Sequence, residues 1–218
     1  MSARVTDLDP RHAVEAAALL GRAFRDNPVN VAVIGRGPDA RERISAAGAV
    51  AYMPGALELG RVWGAWLGDE LAGVLVALPP GRTVLPVPRW RAWGRLLWEQ
   101  GPRVVHRFGE VAATLHERHP VVPHWTLATL GVDPPHWRRG VGRALVRALV
   151  AAADRAPHGI YLDTDRGENV AFYSASGFEV VGTLDVAGVR VHRMWRPAPG
   201  MGDPAQAVCD PRGATEGE

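Results

Sequence analysis

A single α/β domain is the fold class this sequence predicts, on three observations. Amphipathic segments with a three-to-four-residue apolar period alternate with short β-branched runs, the pattern of helices layered on a sheet. With 218 residues and 47% hydrophobic content, the chain can bury one sizeable core, whereas a second full-size domain would be cramped. Finally, "VDPPHWRRGVGRALV", residues 132–146, leaves a strand through two prolines, crosses a glycine pair and enters an amphipathic helix.

In chain order, "RVTDLDPRHAVEAAALLGRAFRDNP" reads as a short strand and then a helix, with Asp9 as N-cap and Pro10 at the first helical position. Asn27-Pro28 stops it. "PDARERISAAGAVAYMPGALELG" is a second, less regular helical stretch. "RVWGAWLGDELAGVLVALPPG" is a hairpin that turns at Gly68-Asp69-Glu70 and stops at Pro79-Pro80-Gly81. Two more helical segments, the first rich in tryptophan, fall between Pro86 and His119. "HWTLATLGV" is a strand, Gly140 to about Asp154 a helix, "GIYLD" a strand, and Asn169 to Ser176 a short helix. "FEVVGTLDVAGVRVHRMW" closes as a hairpin turning near Ala187-Gly188. The boundary expected from composition gives a domain at 1–197 and a mobile, Pro- and Gly-rich tail at 198–218.

Composition excludes several function classes. The net charge of +2 is small, and no basic stripe interleaves with the aromatics, so no nucleic-acid partner is expected. No long uninterrupted apolar run and no secretory leader is present, which predicts a soluble, cytoplasmic protein without membrane attachment. Cys209 is the single cysteine, which rules out an intrachain disulfide framework and a thiolate-rich metal site; no metal is expected. All 25 basic residues are arginine. Without lysine, a Gly-Lys-Ser/Thr phosphate loop and Schiff-base chemistry are both impossible.

A strand ending at Val132, a turn stiffened by Pro134 and Pro135, and a helix from Gly140 gather free backbone N–H groups at one helix N-terminus. Gly140 and Gly142 allow close approach, and Arg138, Arg139 and Arg143 add positive charge: an anion site suited to a pyrophosphate. A dinucleotide fingerprint would need a third glycine where Leu145 stands. The alternative is that the glycine pair merely eases a tight turn.

These residues resemble the signature of the GCN5-related N-acetyltransferase (GNAT) superfamily, Gln/Arg-x-x-Gly-x-Gly/Ala after a strand ending in valine and proline. Val132, Pro134, Gly140, Val141, Gly142 and Leu145 carry the match. Further on, "ENVAFYSASGFEVVG" is similar to the family's second block, Asn-x-x-Phe-Tyr-x-x-x-Gly-Phe, and two blocks in order are far more specific than one. The likeness, greatest to the puromycin N-acetyltransferase-like branch, covers most of residues 1–197 and is loosest between Pro79 and Pro123. One departure is plain: Trp137 occupies the Gln/Arg position and Arg138 the glycine that often follows.

The resemblance implies an α/β (α+β) fold whose mixed, mostly antiparallel sheet of about seven strands is flanked by helices and splayed between strands 4 and 5. It implies acetyl-CoA as cosubstrate. The pantetheine arm would pair with main-chain groups of Leu130, Gly131 and Val132, and the pyrophosphate would sit on amides from Arg138, Arg139, Gly140, Val141, Gly142, Arg143 and Ala144. A main-chain N–H near Leu130 would be the oxyanion donor. Tyr173 matches the general acid that protonates the departing sulfur, and Asn169 the asparagine that contacts the arm; each also has a purely structural reading, as core aromatic and helix cap. Relatives often place a glutamate base on the fourth or fifth strand. None stands on the fourth here, so Asp163 is the best-aligned candidate, with Asp26, His124 and Glu168 behind it, although Asp163 could simply cap a turn.

The implied reaction is acetyl transfer to a primary amine of a small molecule, such as an aminonucleoside antibiotic, by a monomer or homodimer. Trp63, Trp66, Trp90, Trp93, Trp98 and Trp125 form either core or an aromatic-walled acceptor pocket. A second reading is a non-catalytic acyl-CoA-binding sensor, favoured by Trp137 and the missing carboxylate.

Overall fold

The computed structural model describes residues 3–82, 101–156 and 158–200. Seven strands form one sheet in the order β1-β2-β3-β4-β5-β7-β6: β1 (Arg4–Asp7), β2 (Arg61–Leu67), β3 (Glu70–Leu78), β4 (Trp125–Val132), β5 (Ile160–Thr164), β6 (Glu179–Val186) and β7 (Val189–Arg196). Every pairing is antiparallel except that of β4 with β5. Among the described residues six α-helices flank the sheet: α1 (Ala13–Phe24), α2 (Pro28–Ile34), α3 (Pro38–Leu59), α4 (Pro102–Glu117), α5 (Val141–Ala153) and α6 (Gly167–Ser174). No helix among these residues is long and apolar enough to cross a membrane. The mixed, mostly antiparallel sheet matches the expected fold.

The helices divide between the two faces of the sheet. Val141, Leu145, Val146, Leu149 and Ala153, on one stripe of α5, pack with Leu75, Ile160, Leu162, Phe178 and Met194. Burying each such leucine stabilises by roughly 1.5–3 kcal/mol. Contact is close enough that a Cβ on Gly73 of β3 would meet Val141 Cγ1 at 2.7 Å, so only glycine lets α5 seat there. On the opposite face Leu19 and Leu20 of α1 and Met53 of α3 pack with Val74 and Val76.

Several local expectations need correction. Asp9 does cap a helical start, accepting from Arg11 N at 2.9 Å, but Pro10–His12 is a 3-10 turn that precedes α1. Asn27-Pro28 stops α1 and also starts α2, because the Asn27 side chain accepts from Asn30 N. The "less regular" stretch is one continuous 22-residue helix, α3, that absorbs Pro54. Of the two segments expected between Pro86 and His119, α4 is one. The tryptophan-rich one, with Trp90, Trp93 and Trp98, lies outside the described residues, as do residues 201–218 of the expected tail. The closing hairpin turns at Ala187 (φ 54°) and Gly188 (φ 76°), as expected.

Beyond Leu127 the sheet parts. Strand β5 pairs with β4 only at Trp125, Thr126 and Leu127, while β3 follows β4 to Val132. On β4 the register jumps from Leu127 to Thr129, which leaves Ala128 as a bulge that bends the strand. The far end of β4 is tied instead to α1, where Arg22 grips the buried Asp133 through two nitrogens, Nε reaching Oδ1 at 3.0 Å. Arg22→Ala leaves Asp133 buried without its cation; because Arg22 is 40% exposed, the expected loss is about 2 kcal/mol, less than a fully buried pair costs. Urea unfolding of the native and variant chains checks this.

Candidate functional site

A cleft of about 1060 Å³ opens where β4 and β5 part. Its edge follows from the ladder. Asp133 N donates to Ala72 O, so the paired residues of β4 facing β3 run Asp133, Gly131, Thr129. The main-chain groups of Leu130 and Val132 therefore face the cleft. Trp137 reaches back from the loop to this edge, and its indole Nε1 donates to the Val132 carbonyl at 2.8 Å.

At the end of the strand, Arg138 (φ 62°) and Gly140 (φ 81°) both take left-handed backbone conformations, which turn successive amides to one side of the loop. Among the described residues no acceptor takes the amides of Arg138 through Arg143. Ala144 differs from the expectation: its N–H donates to Gly140 O at 3.0 Å and it does not line the cleft. It is the first amide of α5 with a carbonyl four residues back, so it cannot be an open donor. Arg139 also stands aside, its Nη1 donating to His136 Nδ1 at 3.1 Å. Arg138, Gly140, Val141, Gly142 and Arg143 all line the cleft.

Tyr173 and Asn169 of α6 line the same cleft. The Tyr173 ring packs edge-on against Phe172 and Phe178, and burial raises its hydroxyl pKa. Asn169 Nδ2 donates to Thr164 Oγ1 at 3.3 Å.

Asp163 stands on the other face. Ile160 and Leu162 belong to the core under α5, so the alternation of β5 turns Tyr161 and Asp163 toward the side of α1, α2 and α4. The Tyr161 hydroxyl donates to Asp163 Oδ1 at 2.7 Å. Arg193 Nε in turn donates to the Tyr161 oxygen at 3.2 Å, which leaves the phenolic proton pointing at the carboxylate. Burial pushes the Asp163 carboxyl up to about 6, against the opposing pull of Tyr161 and Arg193.

The other base candidates sit differently. Asp26 is clamped by Arg41 Nη2 (2.7 Å) and Arg25 Nε (2.9 Å), whose hydrogen bonds hold its carboxyl below the usual range, and it does not line the cleft. His124 is buried, stacked on His119 with its Nδ1 at Val122 O, and burial lowers its pKa. Glu168 lies at the cleft rim, paired with Arg166. Of the described tryptophans only Trp137 lines the cleft; Trp63 and Trp66 are core and Trp125 packs against it, which removes these strand tryptophans from an acceptor wall. Sequence reading missed Tyr161 and Arg193, and also Asp165, which takes Asn27 Nδ2 and Val29 N and so joins the start of α2 to the end of β5. An alternating Tyr-x-Asp on a strand was the available signal for Tyr161. Nothing local marks Arg193, which comes from a neighbouring strand.

A sheet that splits beside a nest of open amides is the architecture of one acyltransferase class, and the family comparison agrees: residues 52–178 match the acetyltransferase (GNAT) family. The chain belongs to that family. Its fold is similar to the crystal structure of a histone acetyltransferase HPA2 and related acetyltransferase from Corynebacterium glutamicum, at 22% identity and TM-score 0.72, over 91% of this chain and 97% of that one. It is also similar to the ribosomal-protein-S18-alanine N-acetyltransferase of Escherichia coli (14% identity, TM-score 0.52, 93% and 97% covered). A third similar fold is Naa20 of Chaetomium thermophilum (16%, TM-score 0.52, 90% and 87%). Family members use acetyl-CoA to acylate amine acceptors such as proteins and small molecules.

The contact between Tyr161 and Asp163 has a direct readout. The phenol stabilises the ionised carboxylate, so Tyr161→Phe moves the Asp163 midpoint upward from about 6. Titration of the 13C carboxyl signal by NMR checks it.

Proposed function

We propose that the protein is an acetyl-CoA-dependent N-acetyltransferase acting on a primary amine of a small molecule, by direct attack with both substrates bound. The observation that carries this reading is the pairing, in one cleft, of an open strand edge and amide nest with Asp163 and Tyr173. The cleft fits the coenzyme: a backbone edge made by the main-chain groups of Leu130 and the Val132 N–H suits the amides of a pantetheine arm, and the amides from Arg138 to Arg143 suit a pyrophosphate. Asn169 lines the same cleft and would contact the arm.

Acetyl-CoA supplies an activated acetyl group as a thioester. The Leu130 N–H offers a hydrogen bond where charge develops on the thioester oxygen, a contribution of roughly 3 kcal/mol in comparable sites. Asp163 Oδ2 accepts the proton that the amine loses as its nitrogen bonds to the acetyl carbon. The carbon–sulfur bond breaks, and the Tyr173 hydroxyl offers its proton to the thiolate. A buried phenol with a raised pKa keeps its proton until a strong base forms beside it. The likeness to the puromycin N-acetyltransferase-like branch supports a small-molecule acceptor, and the antibiotic-directed reading belongs with it. A second reading, an acyl-CoA-binding sensor, draws on Trp137, whose indole occupies the Val132 carbonyl at the cleft edge.

Release of coenzyme A thiol from acetyl-CoA across a panel of amines separates the two. For the enzyme, Tyr173→Phe lowers kcat by about 10²-fold while coenzyme affinity holds; tight binding with no turnover on any amine establishes the sensor instead. Ionised Asp163 is the active form, so kcat/KM rises with pH through about 6, and Asp163→Asn abolishes that limb.

A further inference from the structure

The acceptor side of the cleft is chemically one-sided. Phe24 at the end of α1, Val29 of α2, and Phe108, Val111 and Leu115 on one stripe of α4 line it, together with Val191 of β7. Cross-strand register puts Val191 on the Asp163 face, because Arg193, two residues on, pairs with Asp163. Against these apolar walls stand few acceptors for a cation. Among the described residues, the carboxylates lining the cleft are Asp163, Asp165 and Glu168. Asp165 is tethered at the start of α2, accepting from Asn27 Nδ2 at 2.8 Å and Val29 N at 3.0 Å. Glu168 is exposed at the rim and held by Arg166 Nη1 at 3.1 Å. Asp163 Oδ1 is taken by Tyr161, and only its Oδ2 has no partner among the described residues. One carboxylate oxygen therefore faces an apolar chamber.

We infer that the acceptor is a primary amine with one ionisable nitrogen on an apolar body, which docks at Asp163 as the ammonium, loses one proton to solvent and attacks as the neutral amine, its body against α4. This deepens the proposed function and rests on it. A second ammonium along α4 would be stripped of water beside Phe108, Val111 and Leu115, a stretch of the lining that carries no carboxylate among the described residues, and an amine anchored at one end avoids that penalty. The structure thus separates amines by charge count rather than by length, and polyamines or aminoglycosides fall on the disfavoured side.

Two probes of equal length isolate the effect: n-hexylamine and 1,6-diaminohexane, compared by kcat/KM for coenzyme A release with the full chain. The expected result is a preference of at least about tenfold for hexylamine, extending to 2-phenylethylamine over spermidine. Val111→Asp places a carboxylate on the α4 wall and brings the ratio toward unity, while the similarly sized Val111→Asn does not; coenzyme affinity and melting temperature report that both variants are folded. Equal or better turnover of the diamine by the native chain overturns this inference and leaves the acetyltransferase reading standing. Bound coenzyme with no acylation of any of the four amines overturns both.

Discussion

The parting of β4 from β5 after Leu127 is the constraint on which the site depends. A strand inside a sheet normally spends both rows of main-chain hydrogen-bonding groups on its neighbours. Here β3 keeps one row as far as Val132, and the bulge at Ala128 swings the other row free. A free row so deep in a sheet is costly unless something pairs with it. Water, the Trp137 indole or an amide-bearing substrate can do so, which turns a structural defect into a binding edge.

The split also gives the cleft two faces with different chemistry. On the α5 side, the amide nest and the arginines make an environment for anions; on the α1, α2 and α4 side the walls are apolar and end at Asp163. On the function proposed above, a thioester in the gap would meet an amine from the opposite face. The fold supplies this orientation without any dedicated residue, because strand alternation alone sends Leu162 to one face and Asp163 to the other.

How much of this was legible in the sequence depended on the range of the interactions. Strand β4, helix α5 and the closing hairpin follow from local periodicity and turn residues, and their observed bounds lie within two residues of the expected ones. The amide nest was legible too, since glycines and a helix start are local features. Helix α2 was not, because its N-cap at Asn27-Pro28 looks the same as a stop signal for α1. The extent of the open amides was overstated by one, at Ala144, for want of helix geometry. Asp163 could be named from its place on the strand, whereas what tunes it could not: Arg193 lies thirty residues away along the chain and is brought alongside by the register of β5 with β7. Which carboxylates are tethered was equally invisible, since Asp26, outside the cleft, is held by Arg41 and Asp165, on its wall, by Asn27, both through tertiary contacts.

Arg193 has a further attachment: its Nη2 donates to the Arg118 carbonyl, at the C-terminal end of α4. The helix that forms the chamber wall and the carboxylate beside it are thus joined by a short, stiff linkage. A bulky guest that levers α4 outward pulls on the guanidinium, and through it on the phenol that aims the acid group. With Asp163 in the proposed role of base, steric fit and proton transfer would be mechanically linked, so an oversized molecule could enter and still be handled badly.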